Sequence, residues 1–128
     1  MAYILDTNVA IELRDGNDAI TARIAALDGA VMLSIISRVD LEGGVYRDPT
    51  QVGLRRPRLD AILAVLPVLP FDDAAADAYR SIVESAGYSR RKLLDRMIAA
   101  QALVHRACLV TMNGDDFRDV PGLDLLEW

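Results

Sequence analysis

The chain has 128 residues, of which 52% are hydrophobic, enough for one domain with its own core. Aromatics make up only 5%, so Ala, Leu, Ile and Val must fill that core. A formal charge of −5, from 19 acids against 14 bases, excludes a general positive field for gripping polyanions, so any nucleic-acid chemistry needs clustered bases or a metal ion.

The opening run Tyr3-Ile4-Leu5 is apolar and ends abruptly in Asp6-Thr7-Asn8, which predicts a strand buried on both faces with polar groups at its C-terminal end. Val9 to Leu13 reads as a helical turn. Asn17 or Asp18 caps a helix carrying Ile20, Ile24 and Leu27, stopped by Asp28-Gly29. Val31 to Ile36 is a second apolar strand. Ser37 then caps a helix, with Asp40 as a capping-box-like partner and Glu42 further along. Gly43 and Gly44 follow in mid-helix, where each costs about 1 kcal/mol against Ala and signals close packing.

Arg47 to Pro57 reads as a loop, with Pro57 at the first position of a helix whose apolar face is Leu59, Ile62, Leu63 and Leu66. Val68 to Phe71 is a short strand near an edge, bounded by prolines. Asp72 caps a helix over Asp73–Ala86, stopped by Gly87. Tyr88 to Lys92 is polar and basic, and Leu93 to Ala107 is a helix rich in Ala and Leu. Cys108 to Met112 is a fourth strand, Asn113 to Asp116 a polar run, and Leu123 to Leu126 a fifth strand. Strands alternating with helices over residues 1–128 predict a single α/β domain with a central parallel sheet.

Four acids fall at junctions that such a sheet gathers on one rim: Asp6, Glu42, Asp95 and Asp116. Crowded carboxylates repel one another and raise a pKa unless a cation neutralises them, and oxygen-only ligation suits Mg²⁺ or Mn²⁺. Each acid also has an ordinary structural reading, as a turn residue, a helix-end charge or a solvated face. Asp15, Asp18, Asp28, Asp60, Asp72 and Asp77 read as caps or surface.

Other chemistries have less support. His105 and Cys108 are the only residues of their kinds, so no histidine-rich metal site or internal disulfide can form. There is no glycine-rich phosphate loop. The apolar run Ala61 to Phe71 is broken by Pro67 and Pro70 and is too short to cross a bilayer. With a strand at the start and a single thiol, a cytoplasmic protein with no membrane partner is expected.

Leu5-Asp6-Thr7-Asn8-Val9 resembles the first motif of PIN-domain ribonucleases. Ser37 with Leu41-Glu42 resembles the second, Asp95-Arg96-Met97-Ile98-Ala99-Ala100 the third, and Thr111-Met112-Asn113-Gly114-Asp115-Asp116-Phe117 the fourth. The four occur in order and span nearly the whole chain. Size and the lack of added domains resemble the VapC-type toxins of bacterial toxin–antitoxin modules. The resemblance implies a three-layer α/β/α sandwich and Mg²⁺- or Mn²⁺-dependent endonucleolytic cleavage of RNA, leaving 5′-phosphate and 3′-hydroxyl ends. It implies Asp6, Glu42 and Asp95 as metal ligands, with Asp116 completing the cluster. Thr7, Asn8, Ser37, Thr111 and Asn113 would orient carboxylates or water. The basic clusters Arg55, Arg56 and Arg58, and Arg90, Arg91 and Lys92, the latter a departure from the family pattern, read from this sequence itself as guides for the RNA backbone or as solvated surface. A cognate antitoxin and a homodimer are the implied partners, the dimer contact or the core using Leu59, Ile62 and Leu66. A non-catalytic PIN-like module that binds RNA or protein is the main alternative. A phosphotransfer domain with Asp6 as nucleophile is a third reading.

Overall fold

A computed structural model describes residues 1–128. Five parallel strands form one sheet in the order β3-β2-β1-β4-β5. They are β1 (Ala2–Leu5), β2 (Ala30–Ser34), β3 (Val68–Leu69), β4 (Cys108–Thr111) and β5 (Leu125–Glu127). The first strand thus lies at the centre, as its continuous apolar run predicts, and the proline-bounded β3 lies at an edge.

Six helices connect the strands: α1 (Thr7–Arg14), α2 (Asp18–Ala25), α3 (Ile35–Arg47), α4 (Val52–Val65), α5 (Asp73–Ala86) and α6 (Leu93–Val104). Successive strand side chains point to opposite faces, so the sheet divides the interior into two cores. Tyr3, Leu5, Leu33 and Val110 face the core built with α1, α2, α3 and α4. Ile4 and Leu109 face the other, built with Ile82 of α5 and Ile98, Ala99, Ala100 and Ala102 of α6. The small residues of α6 let it lie close to the sheet. The result is the expected three-layer α/β/α sandwich, and no helix is long and apolar enough to cross a membrane.

Three expectations about elements are corrected. The helix after β2 begins at Ile35, not after Ser37: Ser34 is its cap, its hydroxyl accepting from the Ile36 N–H at 3.0 Å. Ile35 and Ile36 prolong the apolar run but belong to the helix. The expected loop from Arg47 to Pro57 is mostly helical: a 3₁₀ turn at Pro49–Gln51, capped by Asp48, leads straight into α4. Pro57 therefore lies inside α4 rather than at its first position. Of the two uses expected for the Leu59, Ile62 and Leu66 face, the core is the one seen: Leu59 is fully buried, and Ile62 and Leu66 pack against the same core.

One buried polar tie holds the β3 edge. Gln101 of α6 is fully buried, and its amide nitrogen donates to the carbonyls of Leu69 and Pro70, each at 3.0 Å. Its amide oxygen accepts from the Ser34 hydroxyl. A two-residue edge strand makes few ladder bonds, and Gln101 supplies the missing partners from beneath.

Candidate active site

Asp6 follows β1 directly and caps α1. Its main-chain N–H still bonds to the sheet, donating to the Val110 carbonyl at 2.8 Å. The carboxylate is 4% exposed and held at both oxygens. One accepts from the Thr7 N–H at 2.8 Å, the other from the Thr111 hydroxyl at 2.9 Å. Burial raises the Asp6 pKa above the ordinary carboxylate value; those two bonds oppose the rise, and the charge of Asp116 adds to it.

Asp95 lies in the first turn of α6, and its pKa is raised to about 6. Burial is the largest cause; the charges of Asp6 and Asp116 follow, while Lys92 and Arg91 pull the other way. Asp116 ends a 3₁₀ turn, Gly114–Asp116, just past β4. The turn sits tight against the last strand, since a Cβ at Gly114 would land on the Glu127 carboxylate. Three acids from three junctions therefore act on one another electrostatically, as a parallel sheet predicts for its C-terminal rim.

Glu42 is not among them. Its carboxylate accepts from Arg56 Nη1 at 2.8 Å and Nη2 at 3.3 Å, and Arg38 lies 3.7 Å away. The bonded Arg56 guanidinium holds its pKa below the ordinary value. The physical reason is helical phase. Ser37 faces the acids, because its hydroxyl bonds that of Thr7 at 2.8 Å. On a helix of 3.6 residues per turn Asp40 shares that face, whereas Glu42 is turned about 200° from Asp40. Asp40 lines the groove that also holds Leu94, the neighbour of Asp95. The expected capping-box role of Asp40 does not hold, because the helix is capped by Ser34, and Asp40 instead stands on the Ser37 side of α3.

The remaining groups divide. Thr7, Ser37 and Thr111 make the bonds described, and the Asn113 N–H donates to the Thr111 hydroxyl at 2.9 Å, steadying the Thr111–Asp6 contact. Asn8 and the Asn113 side chain are exposed and touch none of the three acids by hydrogen bond. Of the basic residues, Arg56 is occupied by Glu42 and Asp60. Arg58 donates to the Asp15 carbonyl at 3.1 Å, and Arg55 to that of Gly44 at 2.9 Å. Arg90 and Arg91 are exposed, while Lys92 pairs with Asp119 at 3.1 Å. Asp119 also pairs with buried Arg96 at 3.1 Å. It thereby ties the start of α6, with Asp95, to the segment after Asp116.

The donor set is carboxylate oxygen alone, which fits a hard divalent cation and not zinc or copper. The raised pKa values of Asp6 and Asp95, each in part from neighbouring acids, are the second sign of fit, since a cation here removes the repulsion. The acids do not form a closed cage: no three of them are placed to grip one ion as they stand.

Comparison with known proteins agrees with this geometry. A model of the PIN domain matches residues 3–123. Ribonuclease VapC2 of Rickettsia felis is 28% identical over 134 aligned residues, covering 100% of this chain and 98% of that protein. The structure of VapBC2 from Rickettsia felis bound to a promoter DNA fragment superposes with a TM-score of 0.85 at 26% identity, covering 100% of this chain and 99% of the other. FitAcB from Neisseria gonorrhoeae superposes at 0.83 with 27% identity, covering 98% and 96%.

Proposed function

Because the chain belongs to the PIN domain family, we propose that it is a single-domain, divalent-metal-dependent endoribonuclease, and the toxin of a toxin–antitoxin pair acting in the cytoplasm. Relatives named ribonuclease VapC, similar along nearly their whole length, support the cleavage of RNA. Structural neighbours that are toxin–antitoxin complexes support an antitoxin partner. A homodimer is part of the same reading.

One observation carries the proposal. Asp95 and Asp6 are both held above the ordinary carboxylate pKa, each in part by the charge of other acids on the rim. Burial of uncompensated like charge costs stability, and a bound cation converts that cost into affinity. Asp6, Asp95 and Asp116 would hold Mg²⁺ or Mn²⁺, with Asp40, in place of Glu42, facing them from α3. Such an ion, when bound, supplies the positive charge that acidifies a water and neutralises the phosphodiester. The chain's own part is positional. Thr111 and the Thr7 N–H fix both Asp6 oxygens, leaving their remaining lone pairs toward the rim. The Thr7–Ser37 bond sets α3 against α1 and so brings the Asp40 face to the acids.

The test is cleavage of an end-labelled RNA titrated with Mg²⁺ or Mn²⁺. The wild type cuts only with metal, and Asp6→Asn lowers the rate by at least about a hundredfold. Cutting in EDTA, or an active Asp6→Asn protein, would refute the reading.

A further inference from the structure

Beside the acids lies an open groove of about 850 Å³, bounded by α1, α3 and the first turns of α4. Arg14, Arg47 and Arg55 line it, against the carboxylates of Asp15 and Asp40. Arg14 ends α1 and is only 4% exposed. Its Nε and Nη2 both approach a single oxygen of Asp15, at 3.2 and 3.1 Å. Its Nη1 has no hydrogen-bond partner and lies against Gly44, 2.6 Å from where a Cβ on that residue would stand. Arg55 reaches the same residue from α4, its Nη1 donating to the Gly44 carbonyl at 2.9 Å and its other nitrogens unengaged. Arg47, on the last turn of α3, makes no ion pair.

Although Arg14 is buried as a residue, its unbonded Nη1 is not sealed from solvent, so an anion in the groove can take its free donors. A glycine in mid-helix is unfavourable, and this one leaves the space that Arg14 occupies. Two guanidinium groups meet at this residue. Their planar forks suit the paired oxygens of a phosphate. Gly44 lies about one helical turn from Asp40, four residues or about 6 Å along the axis. That is on the order of the step between neighbouring phosphates of one strand, which favours RNA over a protein carboxylate as the occupant.

We propose that this groove is the subsite for an RNA backbone phosphate adjacent to the one cleaved, with Arg14 and Arg55 as its positioning residues and Arg47 at its mouth. The proposal rests on the ribonuclease reading. It uses Arg14 and Arg47, which no sequence motif pointed to, and leaves Arg56 and Arg58 to structure.

The probe is a fluorescent single-stranded RNA with 2′-O-methyl groups, bound in EDTA and followed by anisotropy across a salt series, so that neither metal nor cleavage enters. Arg14→Gln weakens binding about tenfold. It also lowers the slope of log affinity against log salt by about 0.7, the value for one phosphate contact on a single strand. Arg14→Lys restores the slope. Gly44→Ala, which improves helix propensity and so folds, displaces Nη1 and weakens binding in the same direction. Unchanged affinity and slope in Arg14→Gln and Gly44→Ala overturn the inference. So does normal RNA binding accompanied by weakened binding of an acidic peptide, which would assign the groove to a protein. Wild-type cleavage of unmodified RNA with Mn²⁺ is run alongside: its failure refutes the ribonuclease reading itself, separately from the groove.

Discussion

Replacing Asp95 by Asn is expected to make the metal-free protein more stable while abolishing its activity. The folded chain holds this carboxyl at about 6 against an ordinary 3.8. That gap of about two pH units corresponds to roughly 3 kcal/mol of disfavoured charge at neutral pH. Asp95 is only half-buried, so solvent screening reduces the figure to about 1.5 kcal/mol. A charge in the first turn of a helix also gains roughly 0.3–1 kcal/mol from the dipole, which Asn forgoes, leaving a net gain near 1 kcal/mol. The sign follows from proton linkage. The folded state binds this proton more tightly than the unfolded one, so wild-type stability declines as pH rises from about 4 to about 6. Urea unfolding in EDTA at pH 7.5 should therefore show Asp95→Asn ahead, and at pH 3.5, where the carboxyl is neutral in the folded state and mostly neutral in the unfolded one, most of that lead should vanish. Saturating Mn²⁺ should reverse the order, because only the wild type gains the binding free energy, about 2.7 kcal/mol at a hundred times Kd. A variant less stable than the wild type at pH 7.5 in EDTA would refute the argument that these acids strain one another. Loss of cleavage below about pH 6 is the matching kinetic signature.

Two further outcomes separate neighbouring residues by role. Glu42→Gln should keep full cleavage and change stability by less than about 1 kcal/mol, since its pair with Arg56 is partly solvated; Asp40→Asn, by contrast, should cut the rate at least tenfold, and RNA cleavage assays on the two variants decide between them. Gln101→Leu should cost about 2–3 kcal/mol in urea unfolding, because it strands the Leu69 and Pro70 carbonyls beside the sheet.

What the sequence made legible follows from short-range physics. A strand buried on both faces is a continuous apolar run, so the ends of β1 and β4 could be read directly, and with them Asp6 and Asp116. The first turn of α6 follows from its Ala-rich pattern, and with it Asp95. The error at α3 came from the same rule. Ile35 and Ile36 prolong an apolar run, but Ser34 already turns the chain, so the helix starts three residues earlier than the run suggests. Pro57 misled in a similar way, because Asp48 and the 3₁₀ turn begin the helix before it. The pairing of Arg14 with the space over Gly44 joins residues on two helices. A glycine pair in mid-helix signals that something packs closely there, and only the folded chain identifies the visitor.

The central place of β1 has a consequence for the order of events during synthesis. The Thr111 hydroxyl that grips Asp6 comes 105 residues later, and Asp95 and Asp116 likewise belong to the final third of the polypeptide. A growing chain on the ribosome therefore carries one acid without its companions, and its first strand stays unflanked on the β4 side. The three acids of the rim can therefore come together only after the last third of the chain has been made.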